Sequence, residues 1–293
     1  MPPVRRATRK LREGVKKGLR KPDADKKPKP LPLVERTNAL SLEEFKALYI
    51  PPSELRFHKK EKRENRVENT RKTQESESGP EPQTQGEQGQ FTQPPEPETE
   101  TSTYELLIYT ASTILPTELE LCFNLIEATS SAAYKNSSMG WSPTGKRKEM
   151  QLPDMKYMIL RRRAETITSE DGDENKDEAH LDDGSSNGGF AGFLEFMITY
   201  EDGYEVLYCY EIHLTPEAQG QGLGEKLMER FERIGRAVGL EKTMLTVFKA
   251  NSRAVKFYER VGYEVDDNSP RPRKLRNGTV KEADYVIMSK SLR

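Results

Sequence analysis

The sequence predicts an α/β domain in which helices flank a mixed central sheet. Two apolar runs, "FAGFLEFMITYE" and "YEVLYCYEIHL", are separated by Asp202 and Gly203, a pair that signals a β-hairpin. A helical pattern precedes this hairpin, and strand, helix, strand, helix and strand patterns follow it. An antiparallel unit followed by such alternation is typical of a mixed sheet with helices packed on it.

Composition limits the folded part to one compact domain. The 293 residues could form two average domains, but 33% hydrophobic and 32% charged residues are too polar for two full cores. The net charge of -1 hides an asymmetry, because the first 30 residues are basic and "SEDGDENKDEAHLDD" is acidic. We expect one domain over residues 104–293, interrupted by an acidic disordered insert at 165–189.

Cysteine, histidine and hydropathy patterns exclude several classes of protein. Two cysteines, Cys122 and Cys209, suit a reducing intracellular setting better than a disulfide framework. Three widely spaced histidines do not form a zinc-ligand pattern, so we expect no metal. No apolar run approaches the roughly 18–20 residues that cross a bilayer, and no secretory signal begins the chain, so we expect a soluble intracellular protein.

The first 103 residues divide into three segments. Residues 1–38 are predicted to be a basic disordered tail, with three interpretations: a solvated arm, an import or nucleic-acid-contacting patch, or a membrane anchor. Residues 39–58 are a short helical segment, in which Ser41 and Glu44 have capping-box spacing. Residues 59–103 are rich in Glu, Gln, Thr and Pro and are predicted to be a disordered linker.

The remaining elements follow from apolar periodicity and from start and stop signals. A helix is predicted from about Pro116, which suits a first helical turn, and another ends at Gly239. A third helix covers 252–261 and ends at Gly262. Besides the hairpin, the predicted strands are 104–112, 156–163, 242–248, 263–265 and 283–290.

A glycine-rich loop, "EAQGQGLGEK", lies between the second hairpin strand and the next helix. Backbone N–H groups in such a loop, with the positive end of the helix dipole behind them, form an anion site suited to phosphate. Gly224 is followed by Glu225 and Lys226, which excludes the Walker loop, and no ribose-binding acid supports a dinucleotide site. A merely flexible turn is the alternative.

The spacing Gln219-x-x-Gly222-x-Gly224 resembles the acetyl-CoA pyrophosphate loop of the GNAT superfamily of acetyltransferases. The segment "NSRAVKFYERVGYEV", at 251–265, resembles that superfamily's next cofactor-facing segment. Within the superfamily, "YEVLYCYEIHL", "MLTVFKANSRAVKFYERVGYEVDDNSP" and "YKNSSMGW" resemble the NatD group of N-terminal acetyltransferases. The resemblance covers roughly residues 104–289.

The resemblance implies a GNAT fold and acetyl transfer from acetyl-CoA to the free N-terminal amine of histone H4 and histone 2A, which begin Ser-Gly-Arg-Gly. It also implies a location in nucleus and cytoplasm. We expect no membrane partner, and no direct nucleic-acid binding beyond a weak contact by the basic tail. The alternatives are acetylation of lysine side chains or small amines, and a catalytically silent module that holds acetyl-CoA or a histone tail.

The expected chemistry needs a base, because an α-amine with a pKa near 8 is partly protonated at neutral pH. Glu211 is the candidate, since it lies where the second hairpin strand approaches the glycine loop. Strand alternation puts Tyr208 and Tyr210, which are also assigned to the catalytic site, on the opposite face unless a bulge intervenes. His213 is interpreted as a packing residue, with tuning of Glu211 as the alternative.

The other site residues are implied by the resemblance. The substrate groove would contain Tyr134, Trp141, Tyr208, Tyr210 and Tyr285. The cofactor contacts would be Leu214, Gln219, Gly220, Gln221, Gly222, Leu223, Gly224, Asn251 and Tyr258. Two positions depart from the group's pattern. Met139 stands where a Trp is usual, and Thr199 stands where an acid that holds the substrate arginine is expected, with Glu201 or Asp202 as alternatives.

Overall fold

A computed structural model of the chain describes residues 31–60, 101–163 and 188–293. The predicted basic tail up to residue 30, residues 61–100 of the linker and residues 165–187 of the acidic insert lie outside the described residues, as does residue 164. Within the described ranges, no helix combines the length and apolarity needed to span a membrane.

An eight-stranded mixed sheet forms the centre of the fold, in the order β1-β2-β3-β4-β5-β6-β10-β7. Its only parallel pair among the described strands is β5 with β6. The strands β8 and β9 pair separately as a short hairpin. The bounds are β1 Arg56–Lys60, β2 Thr101–Thr110, β3 Lys156–Arg163, β4 Gly188–Glu201, β5 Tyr204–Leu214, β6 Lys242–Phe248, β7 Glu264–Val265, β8 Arg273–Lys274, β9 Val280–Lys281 and β10 Tyr285–Ser291.

In the part of the chain that the structure describes, six α-helices cover the two faces of this sheet. One face carries α1, α2, α5 and α6, which bury side chains such as Phe45, Phe231 and Tyr258. The other carries α3 and α4, with Ile126 and Met150 fully buried. The helices are α1 Leu33–Asn38, α2 Leu42–Tyr49, α3 Pro116–Lys135, α4 Pro143–Met150, α5 Leu223–Val238 and α6 Ser252–Arg260, with short 3-10 turns at Pro52–Glu54 and Pro216–Ala218.

Local sequence signals explain where several helices begin and end. The Ser41 hydroxyl accepts from the Glu44 amide, and the Glu44 carboxylate accepts from the Ser41 amide, so the predicted capping box is confirmed. Helix α3 begins at Pro116 as predicted. Helix α5 ends at Gly239, whose left-handed backbone (φ 90°) closes the helix.

The predicted start of the domain at residue 104 is wrong. Strand β1 pairs with β2, placing Phe57 opposite Tyr104, and their rings stack with centroids 5.7 Å apart. Phe45 of α2 is 1% exposed, and the Asn38 side chain donates to the Ile198 carbonyl at 2.9 Å. Residues 33–60 therefore belong to the domain, because their apolar side chains cover one face and one edge of the sheet.

This pairing also corrects the segment limits. Residues 33–38, predicted as part of the disordered tail, form α1, with Val34 and Thr37 buried. Residues 59–60 and 101–103, predicted as linker, are strand residues of β1 and β2. The predicted insert likewise loses its last two residues to β4, which begins at Gly188.

Gly192 of β4 marks a place where two strands approach too closely for a side chain. Its φ is +152°, and a Cβ atom at this position would lie 2.3 Å from the His213 carbonyl oxygen of β5. We expect Gly192→Ala to lower the free energy of unfolding by about 1–3 kcal/mol, because the paired backbone cannot move away to relieve the steric clash. Chemical denaturation measures this change. Gly189→Ala in the same strand, with no neighbour within 4 Å, is the matched control; equal effects in both variants would contradict the explanation.

Candidate active site

A β-bulge in β5 builds the site. Glu195 of β4 pairs with Glu211, whereas the next residue, Phe196, pairs with Cys209, so Tyr210 is the extra residue. The extra residue shifts the alternation of β5. Tyr208 and Tyr210 consequently point to the same face of the sheet as Glu211, the face that α3 and α4 cover. A bulge was the condition under which all three residues could belong to one site.

Glu211 lies at the centre of this face and is buried, with 7% of its surface exposed. Its Oε1 accepts from the Tyr134 hydroxyl at 3.0 Å and from Lys146 Nζ at 2.8 Å. Its Oε2 lies 2.7 Å from His213 Nε2. Burial disfavours the charged carboxylate, but the Lys146 ammonium and the His213 hydrogen bond outweigh it and hold the pKa of Glu211 below its usual range. Glu211 is therefore ionised at neutral pH.

Lys146 of α4 connects Glu211 to a second carboxylate. Its Nζ lies 2.5 Å from Glu149 Oε1 and 3.2 Å from the Tyr134 hydroxyl oxygen. Burial disfavours the ammonium, yet Glu211 and Glu149 together raise the pKa of Lys146 above its ordinary value. Sequence reasoning missed Lys146, although Ser142 and Pro143 in front of it have the pattern of a helix start.

Glu195 is a third carboxyl group in the same region. It is fully buried, and neither carboxyl oxygen has a hydrogen-bond partner among the described residues. Burial raises the pKa of Glu195 well above its usual value; Lys146 opposes the shift, and the carboxylates of Glu149 and Glu211 add to it. Burial thus favours the neutral form of the Glu195 carboxyl group. Strand alternation places Glu195 on a core face of β4, and this alternation is the sequence signal that could have identified it.

His213 is not the simple packing residue that the sequence suggested. Its Nε2 contacts Glu211, and its Nδ1 lies 2.8 Å from Thr129 Oγ1 of α3. The ring also packs against Phe193, with centroids 5.7 Å apart. The alternative of tuning Glu211 therefore has direct support in the geometry.

Aromatic side chains surround Glu211 and the carboxyl groups near it. Tyr134 packs against Trp141 and edge-on against Phe248, with ring centroids 5.5 Å and 5.1 Å away. Tyr208 and Tyr210 are in contact, and the Tyr208 hydroxyl bonds to Thr246 at 2.5 Å. The remaining predicted groove residue, Tyr285, begins β10 opposite Phe248 and is half-buried. The structure thus places the five predicted groove residues around one face of the sheet.

The glycine-rich loop borders a cavity of about 470 Å³. Gly222 caps α5 with left-handed backbone (φ 76°), and within the described chain no side chain caps this helix end. The first amides of α5 are thus left for an anionic ligand. Eight of the nine predicted cofactor residues line the cavity: Leu214, Gln219, Gly220, Gly222, Leu223, Gly224, Asn251 and Tyr258.

Gln221 is the ninth and does not line this cavity. Its side chain turns the other way, donating to the Glu217 carbonyl at 2.6 Å and accepting from the Tyr104 hydroxyl at 3.1 Å. Asn251 has a structural role as well, because its side-chain oxygen caps α6 by accepting from the Ala254 amide at 3.1 Å. The Gln221 side chain thus holds the loop on β2, and the cofactor contact predicted at this position is one of the backbone amide.

The gap where β5 and β6 separate connects the cavity beside the glycine-rich loop to the region around Glu211. The two strands pair only from Val206 with Lys242 to Cys209 with Leu245, so they separate at the bulge. A second cavity, of about 170 Å³, lies at this separation and is lined by Glu211, Tyr210 and Phe248 among others. Both cavities share Thr129, His213 and Tyr258. The arrangement suits a long ligand in the larger cavity whose reactive end reaches the smaller one.

A half-buried acid lies further along the same face. Glu201 follows Thr199 at the end of β4, on the side that carries Tyr208. Its Oε1 is buried and has no hydrogen-bond partner in the described ranges. Burial, with a contribution from Asp202, raises the pKa of Glu201 to about 7. No cluster of metal-ligand side chains occurs in the described part of the chain.

Comparisons with known proteins agree with this fold. Residues 149–263 match the model of the acetyltransferase (GNAT) family. N-alpha-acetyltransferase 40 of Saccharomyces cerevisiae is 32% identical over 104 residues, a match that covers 29% of this chain and only 36% of the yeast protein. The mixed sheet with its flanking helices is the GNAT fold, and the chain contains a GNAT acetyltransferase domain.

Two solved structures are also similar. Ribosomal-protein-S18-alanine N-acetyltransferase from Escherichia coli is 18% identical, and the match covers 64% of this chain and 94% of that one with a TM-score of 0.38. Spermidine N-acetyltransferase from Vibrio cholerae, solved with CoA and spermine, is 15% identical, with coverages of 64% and 95% and a TM-score of 0.41.

The raised pKa of the buried Glu195 predicts a pH-dependent stability. Its pKa is higher in the folded than in the unfolded protein, so the folded state holds a proton that the unfolded state releases above about pH 4.5, and stability falls as pH rises. We expect Glu195→Gln to raise the melting temperature at pH 8 by several degrees and to change it little at pH 4.5, since about 1 kcal/mol corresponds to about 2–4 °C.

Thermal unfolding at both pH values measures this effect. Glu127→Gln, at an exposed position of α3, is the control for the loss of one carboxyl group. Equal shifts in melting temperature at the two pH values would show that Glu195 does not carry the extra proton.

Proposed function

We propose that this chain transfers the acetyl group of acetyl-CoA to the free N-terminal amine of histone H4 and histone 2A. The observation that carries the proposal is the buried Glu211, which lines the smaller cavity next to residues that this cavity shares with the glycine-loop cavity. The GNAT family match supports acetyl transfer, and the yeast relative's name supports an α-amine as acceptor.

Acetyl-CoA fits the larger cavity by its chemistry. The glycine loop and the uncapped start of α5 offer backbone N–H groups for a pyrophosphate. The parted backbone of β5 beyond Cys209 offers hydrogen-bonding groups for a chain of amides. When bound, acetyl-CoA supplies an activated thioester carbonyl. Tyr258 lines both cavities, and burial raises the pKa of its phenol, so the hydroxyl remains a hydrogen-bond donor.

The smaller cavity favours a short acceptor. Its volume is about 170 Å³, and Tyr134, Tyr210 and Phe248 contribute aromatic walls. A serine at the end of a peptide needs little space beyond its amine, whereas a lysine side chain must bring four methylene groups. This difference supports an α-amine over a lysine.

Proton removal is assigned to Glu211 as general base. An α-ammonium must lose a proton before its nitrogen can attack a carbonyl, and an ionised carboxylate can take that proton through a water molecule. Lys146, Tyr134 and His213 hold the carboxylate in one orientation. The tyrosines Tyr208 and Tyr210 on the same face would orient the first residues of the peptide.

The preference for a histone tail rests on acidic groups near the groove. The substrates begin Ser-Gly-Arg-Gly, and their third residue needs an anionic partner. One buried oxygen of Glu201, on the correct face, has no hydrogen-bond partner within the described ranges, whereas Thr199 cannot supply a charge. Of the alternatives at this position, we therefore propose Glu201 as the partner of the arginine.

Acetyl transfer from labelled acetyl-CoA tests the reaction. The peptides are Ser-Gly-Arg-Gly-Lys, the same peptide with a blocked α-amine, and one with an unrelated N-terminus. We expect labelling of the free Ser-Gly-Arg-Gly amine alone, and a loss of kcat of about 100-fold or more in Glu211→Gln because a base is removed. Labelling of the blocked peptide would assign the activity to lysine, and binding of acetyl-CoA without labelling would indicate a silent module.

The role of Glu201 gives a separate prediction. Wild type should prefer Ser-Gly-Arg-Gly-Lys over Ser-Gly-Ala-Gly-Lys, and Glu201→Gln should reduce that preference about 10-fold, because a partly buried ion pair is lost. The pKa of about 7 means that the carboxylate forms as pH rises, so the preference should increase between pH 6 and 8. Glu205→Gln, on the opposite face of β5, is the matched control. A preference unchanged in Glu201→Gln would assign the arginine to another residue.

A further inference from the structure

The hairpin of β8 and β9 carries a run of exposed cations. Residues 271–281, "RPRKLRNGTVK", contain five basic residues and no acidic one. All five side chains are exposed, and within the described ranges none of them forms an ion pair: Arg271, Arg273, Lys274, Arg276 and Lys281. We call residues 271–281 the basic hairpin.

The pairing of the two strands brings like charges together. Arg273 of β8 lies directly opposite Lys281 of β9. The turn between them is closed by the Leu275 amide, which donates to the Thr279 carbonyl at 2.8 Å, and by the left-handed backbone of Gly278 (φ 86°). Two cations directly opposite each other destabilise an antiparallel pair. The hairpin therefore has an electrostatic cost that an anionic partner would remove.

Acidic residues on either side of the basic hairpin are bound elsewhere. Asp266 pairs with Lys242 at 2.6 Å, and Glu282 pairs with Lys249 at 3.3 Å. Asp284 accepts two hydrogen bonds from the loop between α3 and α4, at 2.5 Å and 2.9 Å. These carboxylates therefore do not neutralise the hairpin.

The composition of the basic hairpin favours a polyphosphate over an acidic protein. A specific protein interface needs an apolar or aromatic centre. The hairpin contains no aromatic residue, and Val280 is its single exposed large hydrophobic side chain. Phosphates require only cations, and three of the five cations are arginines, whose planar group binds phosphate through two hydrogen bonds.

The shape of the basic hairpin favours DNA among the polyphosphates. A two-stranded ribbon fits the major groove of duplex DNA. The major groove of duplex RNA is too narrow for protein side chains to enter.

We propose that the basic hairpin binds the phosphate backbone of duplex DNA without reading its sequence. From the sequence alone we expected no nucleic-acid contact other than a weak one by the basic tail, because only the pairing of β8 with β9 gathers these cations on one structure. The inference goes beyond the proposed acetyl transfer and does not depend on it. Tyr285, a predicted groove residue, follows the hairpin by four positions, so bound DNA lies near the groove.

Fluorescence anisotropy of a short labelled DNA duplex, titrated with the full chain at several salt concentrations, tests the proposal. The test variant combines Arg273→Gln, Lys274→Gln and Lys281→Gln. We expect it to bind DNA about 10-fold or more weakly than wild type. The slope of log affinity against log salt should decrease by about 2–3, because each phosphate contact contributes about 0.9.

The matched control combines Lys135→Gln, Lys148→Gln and Lys256→Gln, which removes three exposed cations from helices and changes the net charge equally. We expect its DNA affinity and salt slope to stay close to those of wild type. Melting temperatures equal to that of wild type check that both variants are folded.

Three results would overturn the proposal. Equal losses of affinity in the test and control variants would show that only net charge matters. An unchanged affinity in the test variant would assign any DNA binding to another part of the chain, such as the basic tail. Tighter binding of wild type to poly-glutamate or to phosphatidylserine vesicles than to DNA at the same salt would indicate an acidic protein or a lipid surface. Peptide acetylation is not a readout here, so the proposed function stands or fails separately.

Discussion

The rest of the site depends on one extra residue in β5. Because Tyr210 is bulged, Glu211 points to the same face as Tyr208 and Tyr210, and not to the core beneath α5. The same residue marks where β5 and β6 stop pairing. A regular strand at this place would have closed the gap between the strands and turned the carboxylate away from both cavities. The bulge thus provides both a space for ligands and the charged side chain of Glu211 beside that space.

The site also requires that each buried charged group has a partner of opposite charge. Lys146 contacts Glu211 and Glu149, whereas neither carboxyl oxygen of the buried Glu195 has a hydrogen-bond partner among the described residues to offset the cost of burying a charge. Helix α4 therefore contributes to the site through one cation, although its sequence is polar and its few buried residues stabilise little. Removing that cation would leave the buried Glu211 and the half-buried Glu149 without the ammonium group that both contact, which explains why the acidic face needs α4 as well as the sheet.

Local signals predicted most of the elements and about half of the site. The strands at 156–163 and 242–248 have the predicted bounds, since their apolar runs end at clear breaks. The glycine loop was located because phosphate binding requires backbone N–H groups, which the sequence pattern reveals. Lys146 and Glu195 were missed because burial of a charged residue depends on a partner from another element. The early helices were assigned outside the domain because the long polar stretch after residue 60 conceals their pairing with β2.

The position of β1 has a consequence for where the chain can be cut. β2 has β1 on one side and β3 on the other, so both rows of its backbone groups are paired. A protein that began at residue 104 would lose β1 and the helices that bury Val34 and Phe45. It would present a long unpaired edge beside an uncovered apolar surface, and such edges recruit strands from other copies. The first segment thus covers this edge of β2 and the apolar surface beside it, a protective role separate from catalysis.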